Sequence, residues 1–116
     1  MKTMLTIQQT KRLFDLGVPK EKASCTTLTH YEEGQPCLFP IFNLTDLLEI
    51  LPNEISYNHD DCFLMMIRDV YRVYSVGYAF QTFEGCDFCY NCEFLGELID
   101  SLYQLVCWYY EEYLKK

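Results

Sequence analysis

The 116-residue chain has the length of about one domain, and 50% of its residues are hydrophobic, which excludes a disordered protein. Its formal net charge of −8 argues against direct binding of nucleic acid, because affinity for phosphates comes mainly from Lys and Arg. Residues 1–30 have a balance of +3, so the other 86 residues carry −11.

Two short helices are predicted in the first part of the chain. The first runs from Ile7 to Leu16, because Thr6-Ile7-Gln8-Gln9 has the capping-box pattern and Gly17 suits the position after a helix. Pro19 fits the first position of the second helix, which would end near Ser24. This basic segment faintly resembles a helix-turn-helix corner. Its residues depart from that motif in detail, so two core helices are favoured over DNA binding.

In the middle of the chain, the sequence predicts an irregular connecting segment, one helix and one polar loop. Residues 25–42 contain Gly34, Pro36 and Pro40 without sustained periodicity, which indicates an irregular connection. Asn43 caps the next helix, in which leucines at positions 44, 47, 48 and 51 lie on one face. Pro52 ends that helix, and residues 58–61 form a polar loop.

The second half predicts a small sheet followed by a long helix. Cys62–Ile67 is an apolar run typical of a covered strand, and Tyr71–Val76 suits a partner strand. After a bulge or bend at Gly77, Tyr78–Phe83 continues the sheet. Hydrophobic residues at helical spacing then predict a helix from about Glu93 to Leu114.

The predicted fold class is therefore α+β. It comprises N-terminal helices, a small antiparallel β-sheet of two or three strands, and a long C-terminal helix packed on that sheet. We find no repeat, low-complexity tract or linker, so residues 1–116 are expected to form a single globular domain.

A cluster of cysteines offers the clearest candidate for site chemistry. Cys86, Cys89 and Cys92 have C-x-x-C-x-x-C spacing and are the candidate ligands of a metal such as zinc. Zinc needs a fourth ligand from elsewhere, for which Cys37, Cys62, Cys107, His30 and His59 are available. The alternatives are a redox pair, or three thiols packed as small apolar residues along a helical turn. We favour packed thiols, with no resident cofactor and zinc as the alternative.

Catalytic groups give only weak signals. His59-Asp60-Asp61 contains residue types that bind divalent ions, and His30 precedes an acidic run, but neither has a supporting second motif. A solvated turn accounts better for residues 59–61. The sequence has neither a nucleophile elbow nor a phosphate-binding loop. We therefore predict that the protein is not an enzyme and has no catalytic residues.

The last predicted helix offers a candidate partner-binding surface. Trp108 projects near the polar side of this helix, which also carries Glu97, Asp100 and Glu111. Trp is enriched at the energetic centres of protein interfaces, so we predict that these four residues contact a partner. In the alternative, residues 31–42 fold over and cover the indole.

The expected location is the cytoplasm. Residues 1–20 lack the pattern of a signal peptide, and no apolar run approaches the ~20 residues needed to cross a bilayer. The seven Cys, an odd number, are then expected to be reduced thiols.

Two stretches, Phe42–Ile55 and Glu97–Leu114, together with Leu16-Gly17-Val18-Pro19, resemble small uncharacterised proteins of gut-bacterial phages and integrated mobile elements. The resemblance covers most of the chain through leucine-rich helix patterns. It implies a cytoplasmic accessory protein of about this length and carries over no active-site residue.

These features together predict a non-enzymatic, acidic accessory protein that binds a protein partner or self-associates. One alternative is a zinc-stabilised small module that uses Cys86, Cys89 and Cys92. Another is an inhibitor whose acidic surface mimics nucleic acid. Direct contact with nucleic acid or with a membrane is not expected.

Overall fold

A computed structural model describes residues 2–30, 34, 36–68, 73–95 and 97–115. In chain order the elements are helix α1 (Ile7–Asp15), a 3₁₀ turn (Lys20–Lys22), strands β1 (Cys25–His30) and β2 (Pro36–Ile41), helix α2 (Leu44–Ile50), strands β3 (Glu54–Tyr57), β4 (Asp60–Arg68), β5 (Val73–Thr82) and β6 (Gly85–Leu95), helix α3 (Leu98–Trp108) and a π-helical turn (Tyr109–Tyr113). The α+β class is confirmed.

The first and middle helices form where the capping residues predicted them. At α1, Thr6 Oγ1 accepts a hydrogen bond from Gln9 N at 3.1 Å, and Gln9 Oε1 accepts one from Thr6 N at 3.0 Å. Asn43 and Asp46 form a second capping box at α2. Side chains at both helix starts thus satisfy backbone N–H groups that have no partner within the helix.

The second N-terminal helix is confirmed only in part, because it is shorter than predicted and has no buried residues. Only the 3₁₀ turn Lys20–Lys22 follows α1, and the chain is extended again at Ala23. A turn of three residues is too short to be the second helix of a helix-turn-helix motif.

The irregular connection predicted for residues 25–42 is also wrong, because β1 and β2 pair there as an antiparallel hairpin. Pro36 and Pro40 lie in β2, and proline is tolerated in such a strand because a two-stranded sheet consists only of edges. Leu28 and Leu38 face each other across the hairpin and are 64% and 70% exposed. One face of the hairpin is therefore exposed and apolar, while Phe39 and Ile41 of β2 are more buried.

The larger sheet has four antiparallel strands in the order β3-β4-β5-β6. The predicted strand Cys62–Ile67 is confirmed within β4, and the described part of the two following segments forms one strand, β5, except for Phe83, which lies in the next turn. Gly77 pairs regularly with Met65 and Asn91. The bulge instead lies opposite the bond between Tyr78 and Ala79 of β5. There β6 contains one extra residue, Cys89, which has no opposite residue in β5. The sheet is thus larger than the predicted two or three strands.

The C-terminal helix is shorter than predicted and begins at Leu98, since residues 93–95 belong to β6. Its buried face packs on β5 and β6 and also contacts α1 and α2. The fully buried residues at its centre are Ile99, Leu102, Leu105 and Val106. This helix therefore forms the middle of the hydrophobic core, as its broad apolar face predicted.

No described helix has both the length and the apolar character needed to cross a membrane.

Candidate partner-binding cleft

The C-terminal end of α3 forms a cleft of about 420 Å³ with the neighbouring elements. Its lining combines aromatic rings, two glutamates, one thiol and one arginine: Arg12, Tyr57, Tyr90, Gln104, Cys107, Trp108, Glu111 and Glu112. These residues come from α1, β3, β6, α3 and the π-helical turn. Because π-helical turns occur frequently at functional sites, this junction is a candidate binding site.

Trp108 forms the aromatic wall of the cleft rather than a surface contact. Its ring stacks on Tyr90 with centroids 4.2 Å apart and an interplanar angle of 10°. Tyr57 approaches edge-on at 5.5 Å, and Tyr78 lies behind at 6.2 Å. The side chain is only 7% exposed, so its predicted exposure is wrong. The described rings that cover it are Tyr57 of β3 and Tyr90 of β6, and part of the predicted cover, residues 31–33 and 35, lies outside the described residues.

An ion pair between Arg12 and Glu111 crosses the cleft. Arg12 is half exposed and also interacts with the Cys107 thiol. Burial raises the pKa of Cys107, while hydrogen bonding from Arg12 and Tyr103 opposes this rise. Cys107 is therefore a neutral thiol at neutral pH and no activated nucleophile.

The acidic side of α3 is partly neutralised by the basic start of the chain. Lys2 N donates to Glu97 Oε2 at 2.8 Å, and Lys2 Nζ donates to Asp100 Oδ1 at 2.9 Å. Burial disfavours the charged form of Asp100, but hydrogen bonds from Gln9 and Lys2 outweigh it and lower the pKa of Asp100. Glu97, Asp100 and Glu111 thus all have partners within the chain, and their role in partner binding stays a prediction.

Besides Arg12, the cleft is lined by two exposed polar residues, Gln104 and Glu112. A second hollow of about 410 Å³ adjoins the same tyrosine, Tyr57, and includes Tyr113 and Leu114. Tyr113 stacks on Tyr109 with centroids 5.2 Å apart. Aromatic surface thus continues from the cleft along the last turn of the chain.

The predicted metal ligands do not share a helical turn, because Cys86, Cys89 and Cys92 all lie in β6. Successive residues of a strand point to opposite faces, so a spacing of three does not gather the thiols. Cys86 is exposed and Cys89 lies at the bulge, while the side chain of Cys92 is outside the described part. The described side chains contain no group of three metal-binding residues, and zinc binding stays a prediction.

One remote cysteine does approach the cluster. Cys62 of β4, a candidate fourth ligand in the sequence, has its Sγ atom 3.1 Å from that of Cys89. The structure thus brings together two thiols from strands that flank β5. Sequence spacing could not show this contact, because it depends on strand order and on the bulge.

The polar loop is confirmed only for Asn58 and His59. Both have positive φ angles, 51° and 68°, as in the two-residue turn that joins antiparallel strands. Asp60 and Asp61 begin β4 and are exposed. The side chains of His30 and Glu32, which a catalytic site here would need, lie outside the described part.

No known protein family, curated protein or solved structure matches this chain significantly. The resemblance to proteins of phages and mobile elements therefore stays a prediction. The function of the cleft is therefore inferred from the residues that line it.

Alkaline pH is expected to lower the melting temperature, because burial raises the pKa of Tyr103 to about 12 and that of Cys89 to about 12. The ordinary values are 10.0 and 9.0, so unfolding at high pH releases protons that the folded state holds. This contribution to stability is complete below about pH 9 and decreases as the pH rises towards 12. Calorimetry should show a smaller decrease for Tyr103→Phe than for the wild type. An equal decrease would contradict the assignment to Tyr103.

Proposed function

We propose that the protein is a non-enzymatic, cytoplasmic accessory protein that binds a basic protein partner at the cleft beside Trp108. The observation that carries the proposal is the combination of aromatic walls with Glu111 and Glu112 at one opening. Rings and carboxylates together suit the ammonium or guanidinium group of a Lys or Arg side chain. The net charge of −8 would also attract such a partner from a distance.

Arg12 shows that a guanidinium group fits this environment. It reaches Glu111 from α1 and lines the same cleft as Trp108. The arginine is half exposed, so a partner's side chain is able to bind beside it or replace it at Glu111. Glu112, on the next position of the π-helical turn, is exposed and available to a second cationic group.

A short arginine peptide, acetylated tetra-arginine amide, is a suitable probe of this proposal. The chain has one Trp, so quenching or enhancement of its fluorescence reports directly on the cleft. We expect saturable binding that weakens by up to about fivefold in Glu112→Gln, since an exposed ion pair contributes about 0.2–1 kcal/mol. Tetra-glutamine of the same length should not bind.

The matched control is Glu49→Gln, which removes the same charge from an exposed position on α2. Affinity should be unchanged in this variant. An equal loss in both variants would mean that only net charge attracts the peptide, and the cleft would lose its proposed role.

Self-association and nucleic-acid mimicry are the other two possibilities for an acidic binding protein. Sedimentation of the protein alone at increasing concentration tests the first. The second predicts that the protein displaces duplex DNA from a basic DNA-binding enzyme. Displacement with no effect of Glu112→Gln would favour mimicry by the acidic surface as a whole.

A further inference from the structure

Cys62 and Cys89 form the closest thiol pair among the described residues. Cys62 is 1% exposed, whereas Cys89 is partly exposed and lies at the bulge of β6. The Sγ atom of Cys89 is 3.1 Å from both the Sγ atom of Cys62 and the carbonyl oxygen of Tyr78. The bulge is what permits this contact, because Cys89 has no opposite residue in β5 and its side chain reaches towards β4.

We propose that Cys62 and Cys89 are a site of reversible thiol–disulfide exchange, with a low-molecular-weight disulfide such as oxidised glutathione as the co-substrate. This inference is independent of any binding at the Trp108 cleft. It assigns a role to a pair of thiols, one buried and one partly exposed, for which simple apolar packing does not require sulfur-to-sulfur contact.

The more exposed thiol, Cys89, reacts with the small disulfide first, and the buried thiol, Cys62, reacts second. Cys89 loses its proton to solvent, and its thiolate attacks one sulfur of the small disulfide, which releases one small thiolate. The thiolate of Cys62 then attacks Cys89 Sγ and expels the second small thiolate. In total the two protein thiols lose two electrons and two protons, and the small disulfide gains them as two thiols.

Strand geometry indicates that this disulfide is strained and easily reduced. Neighbouring strands lie about 4.7–4.9 Å apart, so two strands that flank a third are separated by about 9–10 Å. Disulfides usually join Cα atoms about 4.4–6.8 Å apart. The ladder spacing on either side of β5 cannot shrink, so bond formation requires the sheet to bend where Cys89 interrupts the ladder. Strained disulfides of this kind are the labile ones, suited to reversible rather than permanent linkage.

The resting state is the dithiol. Burial and the hydrogen bond with Cys62 raise the pKa of Cys89 to about 12. The thiolate fraction at neutral pH is therefore small, and exchange is expected to be slow without a high concentration of the small disulfide.

The decisive test is to incubate the reduced, full-length protein with excess oxidised glutathione, block the remaining thiols and map the peptides by mass spectrometry. The expected result is a peptide pair linked through Cys62 and Cys89 that disappears on addition of dithiothreitol. Adducts of glutathione on Cys86 or Cys25 alone, with Cys62 and Cys89 still alkylated, would overturn the proposal. So would a Cys62–Cys89 link that forms only in denaturant.

Three variants sharpen the result. Cys62→Ser should stop at a mixed disulfide between glutathione and Cys89, because the second thiol is missing. Cys89→Ser should give no modification of Cys62. The matched control is Cys86→Ser, an exposed cysteine three positions earlier in β6, which should form the Cys62–Cys89 link as the wild type does. A linked wild-type peptide supports the proposal even if one of the serine variants does not fold.

Discussion

Replacement of Trp108 by Ala is expected to destabilise the protein by about 3–5 kcal/mol, the usual cost of deleting a buried tryptophan side chain. The indole is 7% exposed, stacks on Tyr90 and has Tyr57 at its edge. Its removal would widen the cleft between α3, β3 and β6 and take away the ring on which Tyr90 stacks. Urea denaturation followed by circular dichroism measures this loss, since the variant has no tryptophan fluorescence.

Phe83→Ala provides the matched control for loss of an aromatic side chain. Phe83 is fully exposed in the turn between β5 and β6, so its removal should change the free energy of unfolding by no more than about 0.5 kcal/mol. A loss below about 1 kcal/mol for Trp108→Ala would contradict the buried placement of the indole. It would also restore the earlier prediction that Trp108 is a surface contact.

The helices were predictable from sequence because their signals are local. Thr6 and Gln9 lie three residues apart and satisfy each other's backbone whatever the rest of the chain does. The same holds for Asn43 and the leucine face that follows it. Both a side-chain cap and the 3.6-residue periodicity of a helix can be recognised from about a dozen consecutive residues.

The strand β6 was missed although the sequence contains its signal. Phe88, Tyr90, Cys92 and Phe94 alternate with Asp87, Cys89, Asn91 and Glu93, which is the period of two expected of a strand. The three-residue spacing of the cysteines was instead interpreted as a metal site or a helical turn. The bulge at Cys89 further offsets the alternation, because it inserts one residue into the ladder.

The candidate sites required tertiary information. Helical spacing places Trp108 near the polar side of its helix, and only the position of Tyr57 and Tyr90 on two other elements shows that it is covered. Cys62 and Cys89 are 27 residues apart and meet only because β4 and β6 flank β5. The acidic face of α3 was predicted to be available to a partner. Its neutralising residues, Lys2 and Arg12, lie at the opposite end of the chain. Such contacts depend on topology rather than on local pattern.

Asp46→Ala is expected to lower the free energy of unfolding by about 2–4 kcal/mol. Asp46 is 5% exposed, and its Oδ2 atom accepts three hydrogen bonds at 3.0 Å, from Asn43 N, Ser24 N and Ser24 Oγ. Removal of the carboxylate leaves these donors without their acceptor in a part-buried position. It also separates α2 from the residue that leads into β1. Thermal or urea unfolding of the variant measures the loss.

Two further variants show whether the carboxylate itself produces this effect. Asp46→Asn keeps one acceptor oxygen and should lose about half as much stability, since hydrogen bonds to a charged acceptor are roughly twice as strong as neutral ones. Glu49→Ala removes an exposed carboxylate from the same helix and should cost no more than about 0.5 kcal/mol. If Asp46→Ala and Glu49→Ala had equal effects, the loss would reflect helix charge alone. A larger loss for Asp46→Ala, with Asp46→Asn between the two, would establish that one buried carboxylate oxygen holds the hairpin against α2.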